Sequence, residues 1–172
     1  MILSSRVMFD GQLSGVDGMT DFSPRQLVVW NEHLKIGQPT IDAQHEAIFA
    51  LAQKSSDFWR KRSTIEQLKL TTEELHEALA AHFDYEEAVL AGIGYAEFAE
   101  HRAEHRVMLD EMQLIRERVE GMDGEAAAGG QGFLLLTYIL SATVGHIFHS
   151  DMDYRAFARE AAVQDGQFEV LA

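Results

Sequence analysis

Apolar residues recur at alternating steps of three and four in four separate segments of this chain. In the third segment the stripe consists of Phe98, His101, His105, Met108, Met112, Ile115 and Val119. This spacing puts every member on one face of an α-helix, the face that packs into a core. The sequence therefore predicts an all-α fold.

The stripes of the other three segments also contain polar side chains. They are Ile41, His45, Ile48 and Ala52 in the first, Leu75, Leu79, His82, Glu86 and Val89 in the second, and Leu135, Ile139, Ala142, His146, His149 and Asp153 in the fourth. Short connections between four such helices favour an antiparallel up-down-up-down four-helix bundle. Each helix then presents at least one imidazole to the interior.

Proline, serine and glycine residues mark the ends of these segments. They place the helices at roughly 41–61, 64–91, 96–120 and 132–160, and Ser63 with Glu66 matches the S-x-x-E capping box that begins a helix. Residues 1–24 are rich in Gly, Ser and Asp and show no helical or strand period. We predict a loosely ordered N-terminal arm over 1–24, the bundle over 25–160 and a C-terminal tail over 161–172.

The composition excludes several classes of function. The formal net charge is −14, with 14 basic residues against 28 acidic ones, which argues against a nucleic-acid partner. The chain contains no cysteine, so a metal would have to be held by histidine and carboxylate. The longest apolar run, FLLLTYIL at 133–140, is too short for a membrane span, and no export signal is recognised, so we expect a cytoplasmic protein without membrane association.

Histidines and carboxylates on buried faces need partners, because an unpaired buried charge costs several kcal/mol. His82 and Glu86, like His101 and His105, stand four residues apart on one helical face, where both could reach one small centre. A metal site satisfies them, and imidazole with carboxylate suits iron, zinc or manganese.

Two other metal patterns fit poorly. A zinc-protease helix needs H-E-x-x-H, whereas HRAEH has its acid next to the second histidine. A ferritin-like di-iron site needs two E-x-x-H motifs, and only Glu73 with His76 supplies one. His76 and His33 are expected to lie on the solvated surface.

Three stretches resemble the hemerythrins, specifically the bacterial hemerythrin-like proteins. They are VVWNEHLKIGQPTIDAQHEAIF, HFDYEEAVLAGIGYAEFAEHRAEH and HIFHSDMDY, which begin at residues 28, 82 and 146. The resemblance implies a centre of two iron ions joined by an oxo or hydroxo bridge. Its ligands would be His45 and His82 on one iron, His101, His105 and His146 on the other, and Glu86 and Asp151 as bridges between them.

The resemblance also implies a function. With the bridge counted, the iron of His101, His105 and His146 has six ligands and the iron of His45 and His82 has five. O2 would enter the open position, take two electrons from the iron pair and be held as a hydroperoxide. Phe83 and Ile147, each next to a ligand, are candidates for the walls of a dry O2 pocket.

The sequence departs from the family at Ala142, one turn before His146, where a tryptophan is usual. Either a neighbour such as Tyr138 fills the space or the pocket is wider and wetter than in relatives. A wider pocket would make peroxide turnover or sensing more plausible than passive storage.

The position of Asp151 is unusual for a ligand. It follows His146 by five residues, whereas an ideal helix would bring His149 or Asp153 onto the same face. The family pattern HI-x-x-x-D favours Asp151, and a local widening of the helix could bring it into register.

Three functions are compatible with the sequence. The first is a non-enzymatic protein that stores, delivers or senses O2. The second is a module that responds to redox state, O2 or NO and would need a protein partner for its output. The third is a di-iron enzyme that reduces peroxide or NO.

Overall fold

The computed structural model describes residues 30–61, 64–123 and 130–165, and all of its regular structure within these ranges is helical. The helices are α1 (Pro39–Lys61), α2 (Ile65–Ile93), α3 (Phe98–Glu120), α4 (Gln131–His146) and α5 (Met152–Asp165). A short 3-10 turn, Glu32–Leu34, precedes α1, and a π-helical turn, Ile147–Asp151, joins α4 to α5. The predicted all-α class is confirmed for the described residues.

The helices enclose an interior with a large apolar cluster and a smaller one, the latter formed by Ile36, Ile41, Leu90, Tyr154 and Ala158. α2 lies against both α1 and α3, and α4 lies against the same two helices. The stripe predicted for α3 is confirmed, since His101, His105, Met108, Met112, Ile115 and Val119 are all buried and Phe98 is half-buried. The apolar core fills the part of the bundle around Leu75, Leu79, Met112 and Ile139, and the polar part of each stripe lies beyond it.

The inward-facing stripe predicted for α4 does not coincide with the buried face of this helix. Leu136, Ile139, Leu140 and Val144 are buried, whereas Leu135 and Ala142 are only half-buried. The run FLLLTYIL has apolar residues on every side, so spacing alone does not distinguish the inner face from the outer one.

Side-chain hydrogen bonds of Asp42, in the first turn of α1, and of Gln38, just before it, connect the start of this helix to its surroundings. The Asp42 carboxylate accepts hydrogen bonds from the backbone nitrogens of Ile36, at 2.7 Å, and Gly37, at 3.1 Å. Gln38 accepts from the nitrogen of Ile41 and donates to the hydroxyl of Tyr85 on α2. These bonds fix the start of α1 against α2, one turn before His45.

The capping box of α2 lies one residue later than predicted. Thr64 accepts a hydrogen bond from the Gln67 nitrogen, and the Gln67 side chain accepts one from the Thr64 nitrogen. The prediction of Ser63 with Glu66 was wrong, because the sequence satisfies the same pattern at two adjacent positions. Ser63 itself lies outside the described residues.

The predicted arm, 1–24, lies outside the described residues. α5 extends to Asp165, five residues into the predicted tail, and 166–172 again lie outside. No helix in the described ranges has an apolar stretch long enough to cross a bilayer.

Candidate metal centre

Seven polar side chains meet in the interior at one part of the bundle. They are His45 from α1, His82 and Glu86 from α2, His101 and His105 from α3, His146 at the end of α4, and Asp151 from the π-helical turn. All seven are buried, and five of them have no exposed surface at all. The structure thus brings together every residue that the sequence nominated as a metal ligand.

The seven side chains form two overlapping groups. One contains Glu86, His101, His105, His146 and Asp151, and the other contains His45, His82, Glu86 and Asp151. Within each group the ligand atoms lie no more than 4.8 Å apart. Glu86 and Asp151 belong to both groups, so the two groups could hold two neighbouring ions that share these carboxylates.

Asp151 lies between the two groups with one oxygen toward each. Its Oδ2 is 3.1 Å from His45 Nε2, and its Oδ1 is 3.1 Å from His146 Nε2. Both oxygens are buried, and neither has a hydrogen-bond partner among the described residues. A buried carboxylate without hydrogen bonds needs positive charge nearby, so Asp151 supports a metal ion between these side chains.

The π-helical turn places Asp151 in the centre. It adds a residue to one turn of the helix, so that a side chain five positions after His146 shares its face. The predicted widening of the helix is confirmed. His149 and Asp153, which the unbroken spacing would have selected, are exposed.

The histidine rings point their Nε2 atoms inward and their Nδ1 atoms outward. His105 Nδ1 is 3.1 Å from Glu87 Oε1, and His146 Nδ1 is 3.1 Å from Glu104 Oε2. Carboxylates only accept hydrogen bonds, so both Nδ1 atoms carry hydrogen and both Nε2 atoms are left to bind a metal. Glu87 and Glu104 were not predicted from the sequence, where their only signal is that each directly adjoins a ligand.

The distances between the inward nitrogens fit a shared ion. His105 Nε2 lies 2.9 Å from His146 Nε2, and His45 Nε2 lies 3.3 Å from His82 Nε2. Two nitrogens bound at about 2.1 Å to one ion lie roughly 3.0 to 3.4 Å apart at ordinary coordination angles. Where both Nε2 atoms of a pair carry lone pairs, a cation between them would offset their repulsion.

Glu86 is held from both sides. Its Oε2 lies 3.1 Å from the Nε2 atoms of both His101 and His105, and its Oε1 accepts a hydrogen bond from the Tyr154 hydroxyl at 2.5 Å. Burial raises the pKa of Tyr154 well above 10, and the charges of Glu86 and Asp151 raise it further. Tyr154 therefore keeps its proton and remains a donor to Glu86.

Both shared carboxylates are ionised at neutral pH. Burial and the Asp151 charge raise the pKa of Glu86, but contacts with His101 and His105 lower it, and it lies at about 2. Burial also raises the pKa of Asp151, and the surrounding histidines hold it well below its usual value. Two negative charges and the imidazole nitrogens make a set of hard and intermediate donors suited to iron.

Two of the predicted pocket residues are buried beside the centre. Phe83 stacks on the His105 ring at a centroid distance of 3.9 Å, and its ring also lies 5.4 Å from that of His82. Ile147 is completely buried directly after His146. On the α1 side, the Trp30 ring packs against His45 at 6.0 Å and against Phe49 at 5.5 Å.

Ala142 lies in a different environment. It lines a groove of about 490 Å³ between α3 and α4, together with Val107, Met108, Gly145 and His146. Tyr138 does not fill this space, because the residue is 53% exposed and its hydroxyl donates to Glu111. The groove therefore reaches the outer side of His146. Three histidines lie outside the two ligand groups, namely His33 and His149, which are exposed, and His76, which is half-buried.

Comparisons with known proteins agree with this geometry. Residues 37–158 match the family model described as the Hemerythrin HHE cation binding domain. A protein named Bacteriohemerythrin from Clostridium acetobutylicum is 24% identical over 131 residues, which cover 74% of this chain and 98% of that relative. The resemblance noted in the sequence is confirmed, and the chain belongs to the hemerythrin family.

Proposed function

We propose that this chain holds two iron ions in its interior and binds O2 reversibly without turning it over. The observation that carries the proposal is the pair of ligand groups that share Glu86 and Asp151. The name of the relative, Bacteriohemerythrin, supports iron over zinc or manganese. A pair of ferrous ions supplies the two electrons with which O2 is taken up.

The two groups differ in the number of protein ligands, and this difference favours one as the O2 site. The group with His101, His105 and His146 offers five residues, whereas the group with His45 and His82 offers four. An ion with fewer protein ligands keeps a position open for an outside molecule. We assign O2 binding to the His45 and His82 side.

The surrounding side chains exclude water and hold protons in place. Phe83, Ile147 and Phe49 are buried, and Trp30 covers His45 from the other side. Tyr154 keeps its proton on the Glu86 side, since its pKa lies well above neutrality. A dry site with a fixed proton donor protects a reduced oxygen species from loss to solvent.

We also propose that the bundle has up-down-up-down antiparallel topology and is the domain predicted at 25–160, with its last helix extended to Asp165. The order of neighbours, with α2 and α4 each between α1 and α3, supports this topology. The connection 94–97 between α2 and α3 is too short for a crossover along the bundle.

A second candidate function is reaction with peroxide, which the groove beside Ala142 favours. The groove exposes the outer side of His146 to a cavity of about 490 Å³. Solvent and small polar molecules that enter it come within one side chain of the centre. Consumption of hydrogen peroxide by the iron-loaded chain would support this candidate over reversible binding.

The proposed function is tested by loading the chain with ferrous iron without air and following its visible absorption. We expect a colourless protein that absorbs visible light after O2 is admitted and becomes colourless again under vacuum. A zinc-loaded sample is the matched control and should stay colourless throughout. Absorption that appears but never reverses under vacuum would contradict reversible O2 binding.

A further inference from the structure

The histidines of the two ligand groups differ in what holds their outer nitrogens. On the three-histidine side, His105 and His146 each have a carboxylate on Nδ1 at 3.1 Å. On the other side, His82 Nδ1 contacts the neutral amide oxygen of Gln44 at 3.4 Å, and the buried His45 Nδ1 has no hydrogen-bond partner among the described residues. Asp42 lies close enough to His45 for an electrostatic interaction, but it makes no hydrogen bond to His45 Nδ1. Within the described part of the chain, a carboxylate in direct contact with Nδ1 is therefore found on His105 and His146 and not on His45 or His82.

Each carboxylate is itself fixed by a further contact. Glu87 uses Oε1 for His105 and Oε2 for an ion pair with Arg102 at 3.0 Å. Glu104 accepts a hydrogen bond from the Ser150 hydroxyl at 2.6 Å with the same oxygen that faces His146. Because Ser150 belongs to the π-helical turn, Glu104 joins α3 to the turn that carries Asp151.

A carboxylate on Nδ1–H has two effects on a ligating histidine. It fixes the ring orientation and the tautomer, so that Nε2 already faces the metal, and it draws the proton outward, which makes Nε2 a stronger electron donor. Loss of such a contact typically lowers metal affinity by about 10- to 100-fold. Both effects are weaker on His45 and His82 than on His105 and His146, because neither of the former has a carboxylate hydrogen-bonded to Nδ1.

We infer that Glu87 and Glu104 are positioning residues that make the three-histidine group the tighter and first-filled of two unequal metal sites. The His45 and His82 group then fills second and holds its ion more weakly. The inference rests on the proposed two-ion centre and goes beyond it by giving an order of binding and the residues that cause it. The weaker site is also the one assigned to O2.

The test is a titration of the metal-free full-length chain with Co²⁺ alone, followed by visible absorption and calorimetry. We expect two ions per chain in two separate steps. Glu87→Gln and Glu104→Gln keep the size and the acceptor oxygen but remove the charge, and each should weaken the first step about 10-fold and leave the second unchanged. Glu100→Gln removes an exposed acid from the same helix as Glu104 and should change neither step.

A gain of affinity provides the complementary test. Gln44→Glu places a carboxylate beside His82 Nδ1, so it should tighten the second step and bring the two affinities closer together. Far-UV circular dichroism of the metal-free variants checks that the helices are retained.

The outcomes separate the two proposals. The inference would be overturned if wild type bound two ions with equal affinity. It would also be overturned if the first binding step were unchanged in both Glu→Gln variants. Either result would leave the proposal of a two-ion centre intact. Fewer than two ions bound by wild type would overturn both. A merely structural role for Glu87 and Glu104 predicts no effect of the Gln variants on affinity, because the hydrogen-bonded shape is preserved.

Discussion

Tyr154 and Glu86, which are 68 positions apart in the chain, form a buried hydrogen bond of 2.5 Å at the edge of the metal centre. Glu86 Oε1 accepts this bond, and Glu86 Oε2 faces the histidines. Tyr154 thereby fixes the orientation of a carboxylate that belongs to both ligand groups.

Replacing Tyr154 with phenylalanine should destabilise the metal-free chain. The change removes a hydrogen bond to a buried charged group, which contributes about 1.5–3 kcal/mol to the free energy of unfolding. Urea unfolding in the presence of a chelator measures the loss. Tyr95→Phe, whose hydroxyl donates to the exposed Glu97, is the control and should cost no more than about 1 kcal/mol. Equal losses in the two variants would contradict the special role of Tyr154.

Stability should fall at alkaline pH because of the same hydroxyl. The pKa of Tyr154 is higher in the folded chain than in the unfolded one, so above about pH 10 the unfolded state loses a proton that the folded state retains. The contribution is fully present below pH 10 and declines by about 1.4 kcal/mol per pH unit above it. Tyr95, whose pKa is raised to about 12, adds a smaller fall because it is half-buried.

The alkaline fall is measured by urea unfolding at a series of pH values in a chelator. Above pH 10 the free energy of unfolding should decrease less steeply in Tyr154→Phe than in wild type. A slope that is identical in the two proteins would mean that Tyr154 does not titrate as the geometry implies.

Asp151→Asn should remove most of the bound iron. The substitution keeps the size of the side chain but removes one of two negative charges shared by both groups, so both ions lose a ligand. Metal analysis after loading should show fewer than one iron per chain, against two in wild type. Asp153→Asn alters an exposed acid two residues away and should retain two irons. Equal iron contents in the two variants would rule out Asp151 as a shared ligand.

Ala142→Trp should protect the oxygenated protein. The indole would occupy the groove beside His146 and exclude water from the outer side of that ring. The visible absorption gained on exposure to O2 should then decay several-fold more slowly than in wild type. Leu134→Trp, at an exposed position on the same helix, controls for the added aromatic and should leave the rate unchanged. An unaltered rate in Ala142→Trp would show that the groove is not the route of decay.

Thr64→Ala should destabilise the chain by about 1 kcal/mol, because the N-terminus of α2 loses its cap. Thr64→Ser keeps the hydroxyl oxygen and should cost much less. Thermal or urea unfolding of the metal-free proteins compares them. If Thr64→Ala is as stable as wild type, the cap of α2 lies elsewhere.

The sequence predicted the helical class and the convergence of the ligands well, because the spacing of three and four is a strong signal. The stripe of α3 alternates sharply between buried and exposed positions, so its face was identified residue by residue. The buried face of α4 was not identified in this way, because that helix has apolar side chains around most of its circumference. The exposed apolar residues of α4 include Leu134, at 68% exposure, and Tyr138.

Asp151 shows where periodicity reaches its limit. A regular helix would have selected His149 or Asp153, and only the family pattern pointed to the residue that lies in the centre. The outer partners Glu87 and Glu104 carried only the weak signal of adjoining a ligand, because such a residue lies about 100° round the helix and resembles a surface charge. Their contacts with His105 and His146 depend on how neighbouring helices pack.

Several expectations stay predictions. They are a cytoplasmic location, the absence of nucleic-acid and membrane partners, and a protein partner for any signalling role. The loosely ordered arm over 1–24 also stays a prediction, because it lies outside the described residues.

The central claim is that two ions share Glu86 and Asp151, and anomalous scattering at the iron edge from crystals of the loaded protein tests it most directly. We predict two iron peaks, one beside His101, His105 and His146 and the other beside His45 and His82, with Glu86 and Asp151 in contact with both. A single peak, or a second peak bound by His149 or Asp153, would contradict the account.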